Sequence, residues 1–285
     1  MEITATLVKK LRDETDAPLM DCKRALQDAA ADQGGAANED AVFNRAREIL
    51  REAGKTQAAK RADREVMNGV VAIAKKPGAV ALVSLLSETD FVARNEEFIA
   101  EAQALANAFL ENDPGDDPLS AVVEGVPVSD RIEALVAKIR ENIQLGTVKR
   151  IESDKTIGTY LHHDKAKAAV VVAEGGDEAL ASKVAMQVVA FPSVEVIAES
   201  QLDQERLQRE IEVEKKRAMD EGQPDDRAQK IAEGRVNKEF LSAAVLLNMA
   251  WFLEPKKKVS EIVGDMKIQR IVRMQAGGTP LDCSL

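Results

Sequence analysis

Aromatic residues are scarce in this chain: seven Phe, one Tyr and one Trp make up 3% of 285 residues. A ring outside an evident apolar stripe therefore stands out. Cysteine is scarcer. Cys22 and Cys283 are too few for a disulfide framework, which implies a reducing compartment. Two Cys and two His without ligand spacing argue against a metal site. The longest apolar runs, residues 80–86 and 241–253, fall short of the ~18 residues a membrane span requires. The opening Met1-Glu2-Ile3-Thr4 lacks a basic, apolar leader, so a cytoplasmic location is expected. A basic surplus is also missing. With 39 Lys and Arg against 49 Asp and Glu, the net charge of −10 argues against nucleic acid as a general partner.

Catalytic signatures are absent too. There is no P-loop, no dinucleotide fingerprint and no GxSxG elbow. Cys22 falls on a helical stripe with Leu19, Leu26 and Ala29, which reads as structural despite the neighbouring Lys23. His162 and His163 are adjacent at a strand end, where alternation sends them to opposite faces. Glu88 and Asp90 have no further acid or base placed near them by the sequence. The expectation is a chain that is not an enzyme and needs no cofactor.

What is present is a soluble composition, 45% hydrophobic and 31% charged, long enough for two or three modest domains. Residues 1–54 read as three helices. The first carries Ile3, Leu7, Val8 and Leu11 after Thr4 or Thr6 as a cap. The second opens at Pro18 with Met20, Cys22, Ala25 and Leu26. Past a Gly34-Gly35 loop, the third carries Val42, Ala46, Ile49, Leu50 and Ala53, with Gly54 as a left-handed cap. Residues 55–67 form a charged linker. From residue 68 the pattern turns to strands: 70–74 and 80–86 flank Lys75-Lys76-Pro77-Gly78, helices follow near 95–110 and 130–143, and a strand near 147–153 ends a first α+β subdomain, 68–153. The second helix of the pair carries Ile132, Leu135, Val136, Ile139 and Ile143.

Residues 154–202 repeat the plan, with strands near 156–162 and 167–174, a helix with Leu180, Val184 and Val188, and a strand at 194–197. Residues 203–240 hold eleven acidic and nine basic residues over a thin seam of Leu207, Ile211, Met219, Ile231, Val236 and Phe240, broken at Gly222-Gln223-Pro224. This predicts an antiparallel helical hairpin. The chain then returns through 241–276, turning at Glu254-Pro255-Lys256-Lys257-Lys258 and reading as a strand over 268–274, and the tail, 277–285, is expected to fray at Gly277-Gly278-Thr279-Pro280. The fold class is α+β.

One stretch concentrates the interest. Ser87-Glu88-Thr89-Asp90-Phe91-Val92-Ala93-Arg94 joins an apolar strand to an amphipathic helix, which puts Phe91 at a corner. On one reading Asp90 caps the helix and Phe91 packs inward as a staple. On the other, the ring is an anchor presented to a partner.

The string Leu11-Arg12-x-x-Thr15-x-Ala17-x-x-Met20-Asp21-Cys22-Lys23-Arg24-Ala25-Leu26 and the string Thr89-Asp90-Phe91-Val92-Ala93-Arg94-Asn95-x-x-Phe98 resemble the two signatures of the elongation factor Ts family. Glu141-Asn142-Ile143, Gly158-x-Tyr160-x-His162, Ala185-Met186 and Ala232-Glu233-Gly234-Arg235-Val236-x-Lys238 match it in the same order. The resemblance implies a ubiquitin-associated-like (UBA-like) amino-terminal domain, a core of two related α+β subdomains and an inserted antiparallel coiled-coil hairpin. It implies a guanine-nucleotide exchange factor that binds elongation factor Tu, with a homodimer or a 2:2 assembly with Tu open. Thr89, Asp90, Phe91 and Val92 would enter Tu near its magnesium and nucleotide. Lys23, Ile143, Leu145 and His162 would be further contacts. The alternative is a Tu-binding chaperone or scaffold without efficient exchange. The chain departs from the family pattern at Gly146 and Thr147, where two Arg are common, and at Gln187, where His is common. Its end after the last core strand implies that a carboxy-terminal module seen in some members is absent.

Overall fold

The computed structural model describes residues 2–15, 17–32 and 38–285, so the expected Gly34-Gly35 loop lies outside the described residues. The backbone groups into two compact units, Met1–Val70 with Val83–Val148, and Val71–Leu82 with Lys149–Leu285. Helix and strand are mixed in the α+β manner.

The chain opens with α1 (Ala5–Thr15), α2 (Leu19–Asp32) and α3 (Glu39–Arg61). Thr4 caps α1 by accepting the Leu7 N–H at 3.2 Å, and Asn38 caps α3 by accepting the Ala41 N–H at 2.7 Å. Leu7, Val8, Leu11, Cys22, Ala25, Leu26, Ala29, Val42, Phe43 and Ala46 form one buried cluster. Burial pushes the Cys22 thiol pKa up, and its Sγ lies 3.4 Å from the Ala17 carbonyl, as suits a structural cysteine. Two expectations fail. Leu19 and Met20 are exposed, because the inward stripe of α2 runs through 22, 25, 26 and 29 and leaves its first turn outside. Gly54 is not a cap. The helix continues through it to Arg61, and the missing side chain permits close approach to α6 (Val128–Ile139): a Cβ at Gly54 would lie 3.3 Å from the Ala137 Cβ.

β1 (Asn68–Lys76), β2 (Ala79–Ser87) and β5 (Ile143–Glu152) form a three-stranded sheet in the order β1-β2-β5. The continuous apolar run of β2 reflects its central place, with residues on both faces buried. Between β2 and β5 lie α4 (Asp90–Ala93), α5 (Glu96–Glu111), the small hairpin of β3 (Val122–Val123) and β4 (Val126–Pro127), and α6. Ile143 belongs to β5 rather than to the helix. Arg140, at φ 66°, ends α6 in the left-handed conformation three residues earlier.

A second sheet runs β11-β10-β7-β6, all neighbours antiparallel, from β6 (Thr156–Leu161), β7 (Lys167–Glu174), β10 (Lys267–Gln275) and β11 (Leu281–Ser284). The helix α7 (Glu178–Ala190) packs against β6 and β7. Gly158 is required there, since a Cβ would come within 2.2 Å of the Ala181 backbone. The third strand of this sheet is β10 and not residues 194–197, which contribute one isolated bridge, Val196 to Val245. In both sheets a hairpin gains its third strand beside its second member, β5 on β2 and β10 on β7. The fraying expected at 277–280 is also overturned: these residues join β10 to β11, with the Gly278 N–H donating to the Gln275 carbonyl at 3.1 Å, and beyond them Asp282 takes a bidentate bond from Arg270 at 2.8 Å and an ion pair from Lys149 at 3.0 Å.

Helices α8 (Gln204–Asp220) and α9 (Asp225–Arg235) pack on each other and lead through a π turn, Val236–Leu241, into α10 (Ser242–Ala244). Their closest seam is alanine: Ala218, Ala228 and Ala232 are fully buried, whereas Met219 is exposed. Small side chains of this kind let two helix backbones approach closely, and the longer apolar chains of the pair are less completely buried. The base is apolar, with Leu202, Val236, Leu241 and Val245 joined by Leu207, Ile211 and Phe240. β8 (Ala250–Trp251) and β9 (Glu254–Lys258) make a hairpin, so Glu254 to Lys258 is a strand where a turn was expected, and α11 (Val259–Val263) follows. No helix among the described residues is long and apolar enough to cross a membrane.

Candidate functional site

Phe91 sits on a single helical turn, α4, and its side chain is 80% exposed. The staple reading of this ring is therefore wrong. Its capping residue is wrong as well, since Thr89 is the N-cap, with Oγ1 accepting a long 3.5 Å bond from the Val92 N–H. Asp90 occupies the first helical position and pairs with Arg94 at 2.9 Å, an exposed contact of about 0.3–0.5 kcal/mol. Val92 points the other way and is buried. The chain then restarts at α5, where Asn95 accepts the N–H groups of Glu97 and Phe98, and Phe98 is fully buried. Two rings seven positions apart thus have opposite fates. Phe98 anchors the core, and Phe91 faces solvent.

The corner is fastened to the turn before β5. Glu141 accepts the Thr89 hydroxyl at 2.6 Å and the Thr89 N–H at 3.0 Å. Glu88 accepts the Asn142 N–H at 2.6 Å and lies 3.3 Å from Arg64. The Ser87 hydroxyl donates to the Thr89 carbonyl, and the Asn68 amide donates to that of Glu88. Asn142, itself buried, donates to the Arg64 carbonyl at 2.7 Å. The sequence did not reveal these partners. Glu141 stands 52 residues from Thr89, and no local spacing encodes such a pairing. The only available signal was the Glu141-Asn142-Ile143 string.

The other expected contact residues are dispersed. Lys23 is exposed on α2, whose Asp21 makes a largely exposed ion pair with Arg140 at 2.9 Å, so the turn at 140–142 touches the helix of Lys23 as well as fastening the corner of Phe91. Ile143 is 3% exposed and offers almost no side-chain surface, and Leu145 is half-buried on β5. His162 lies in the second unit, at the turn after β6, with Nδ1 3.0 Å from the Tyr160 hydroxyl. The expected divergence of the two histidines is not seen. β6 ends at Leu161, so strand alternation no longer applies, and the rings lie 4.3 Å apart. Among the described residues no group of three or more His, Cys, Asp or Glu is arranged to hold a metal ion.

The family model described as Elongation factor TS matches residues 88–278. A protein of Pseudoalteromonas atlantica named Elongation factor Ts is 36% identical over 281 residues, covering 97% of this chain and 92% of that protein. Proteins of the same name from Deinococcus deserti and Chloroherpeton thalassium are 34% and 37% identical, over 95% and 92% of this chain and 98% and 91% of their own lengths.

The chain belongs to the elongation factor Ts family.

The region matched by the elongation factor Ts model begins at Glu88, so it takes in both halves of the corner network, Glu88–Thr89 and Glu141–Asn142. Gly146 and Gln187, two positions expected to depart from the family pattern, have structural partners. Gly146 lies against β2, where a Cβ would come within 2.4 Å of the Ser84 Oγ, and that hydroxyl accepts the Thr147 N–H at 2.7 Å. Gln187 is fully buried; its amide donates to the Ala250 carbonyl at 3.0 Å and accepts the Phe252 N–H at 2.9 Å. Gly146 leaves room for a hydroxyl that holds the backbone, and Gln187 holds backbone groups with its own side chain.

Proposed function

We propose that this chain is a guanine-nucleotide exchange factor for elongation factor Tu, acting without covalent chemistry through Asp90 and Phe91. The observation that carries the reading is an aromatic side chain 80% exposed on a one-turn helix that is itself hydrogen-bonded to a second segment. Exposed rings on firm supports are the usual anchors of protein interfaces. A GTPase holds its nucleotide through backbone N–H groups around the phosphates and a shared magnesium ion. A ring and a carboxylate pushed in beside that ion displace the elements that hold it, and the nucleotide leaves. Binding is reciprocal: what weakens nucleotide on Tu is weakened by nucleotide in turn, so GTP later expels the factor.

The remaining surfaces are assigned in the same reading. Helices α1–α3 act as a UBA-like module that reaches Tu through Lys23, and α8–α9 serve as the coiled-coil hairpin of the family. Leu145 and His162 are further contacts. Mixing the full chain with Tu carrying a fluorescent GDP tests the proposal. Accelerated release supports exchange; binding to Tu with release at its spontaneous rate leaves the chaperone or scaffold reading and refutes exchange.

A further inference from the structure

We propose that Glu141 and Glu88 form a reciprocal clamp that sets the direction of the Phe91 ring, which makes Glu141 a positioning residue for exchange. The inference rests on the wedge reading of Phe91 given above.

At 80% exposure Phe91 is not placed by packing, and α4 is a single turn, too short to be stable alone. The intrinsic hold on that turn is weak, because the cap bond from Val92 to Thr89 Oγ1 is 3.5 Å long. Val92 seats the turn on the core and the Asn95 N–H closes its exit at 2.9 Å on the Val92 carbonyl, so what remains to be set is the entry, at residues 88–89. Two carboxylates cross between the same two segments in opposite senses. Glu141 of the second segment takes the N–H and hydroxyl of Thr89, and Glu88 of the first takes the N–H of Asn142. Each acid caps the backbone of the other's neighbour. Two bonds at 2.6 Å to carboxylate oxygens are short and charge-assisted, the stronger class of hydrogen bond.

The geometry fixes the register of residues 88–89 against 141–142, and with it the start of α4. Thr89 therefore acts through its hydroxyl toward Glu141 rather than as a surface for the partner. It is half-buried, and Oγ1 donates to Glu141 while the 3.5 Å cap bond uses a lone pair. Losing the clamp leaves Phe91 present but variably aimed, and misplacement of a contact group by about 1 Å can cost up to ~100-fold in rate.

The experiment is stopped-flow release of fluorescent GDP from elongation factor Tu, with the full chain titrated to saturation so that the limiting rate and the half-saturating concentration separate. Glu141→Ala is expected to lower the limiting rate about tenfold. Thr89→Val should share that loss, the double variant should be no slower than either single one, and Thr89→Ser should restore the rate to within about twofold. The decisive comparison is made in Phe91→Ala. If Glu141 works by aiming the ring, Glu141→Ala costs nothing further once the ring is gone. Should Glu141→Ala not fold, Glu141→Gln, which keeps one acceptor, is expected to lose about threefold with the same dependence on Phe91. A Glu141 effect of equal factor with and without Phe91, or a parental limiting rate in Glu141→Ala, overturns the clamp alone. A parental rate in Phe91→Ala overturns the wedge reading on which the clamp depends.

Discussion

Replacing Gly146 by alanine is expected to destabilise the chain through one atom. The added Cβ would lie 2.4 Å from the Ser84 Oγ and 3.2 Å from Leu86 Cγ and Cδ1. Ser84 is only 2% exposed, and its hydroxyl both accepts the Thr147 N–H at 2.7 Å and donates to the Thr147 carbonyl at 3.3 Å. The methyl group can be accommodated only if that hydroxyl moves. Overpacking of this kind costs about 1–3 kcal/mol, and a buried donor left without a partner adds about 1–3 kcal/mol. Gly146→Ala should therefore cost about 2–4 kcal/mol, since the two penalties are partly alternatives. Urea unfolding of the four members of a double-mutant cycle with Ser84→Ala measures it. Ser84→Ala alone loses the hydroxyl and costs about 1–2 kcal/mol. In that background the new Cβ has room, so the two changes should couple favourably by about 1–2 kcal/mol. Parental stability in Gly146→Ala, or strict additivity across the cycle, would show that the Ser84 hydroxyl does not oppose a Cβ at this position.

Gln187→Leu should cost about 1–3 kcal/mol and speed hydrogen exchange at the Phe252 amide, because Leu cannot accept that N–H; unchanged protection there would count against the assigned bond. Asp282 supplies a pH-dependent term. The Arg270 hydrogen bond, then the Lys149 contact, holds its carboxyl below the ordinary 3.8. A depressed folded pKa means the stabilisation is complete above the unfolded value and is lost as pH falls through the folded one. Asp282→Asn should lower stability at neutral pH and lose that disadvantage below pH 3.8, where unfolding followed against pH should show the two proteins converging.

The sequence made the elements legible where local rules govern them. The helical stripe of Leu7, Val8 and Leu11, the Pro-Gly turn between β1 and β2 and the apolar run of β2 each follow from periodicity or turn chemistry. The failures share a cause. Gly54 has the local character of a cap, yet contact with Ala137 explains it better, and Ala137 is 83 positions away. Residues 194–197 have strand composition, but the place beside β7 is taken by β10, some seventy residues on. Tail residues with Gly and Pro look frayed until β10 supplies an edge to pair with. At the site, the strand-to-helix corner of Phe91 could be read directly, because change of period and scarcity of rings are local facts. Whether the ring faced in or out could not, and neither could Glu141, because both depend on partners distant in sequence.

Exchange by this chain stands or falls with the power of Phe91 to drive nucleotide from Tu. That power is tested most directly by the rate at which Tu releases fluorescent GDP in the presence of the chain and of Phe91→Ala, with the circular dichroism and melting temperature of the two compared. An anchor of this type contributes about 2 kcal/mol or more, so release promoted by Phe91→Ala should fall at least about 30-fold while the fold is unchanged, as expected for a residue that is 80% exposed. Equal rates from the two proteins would contradict the account.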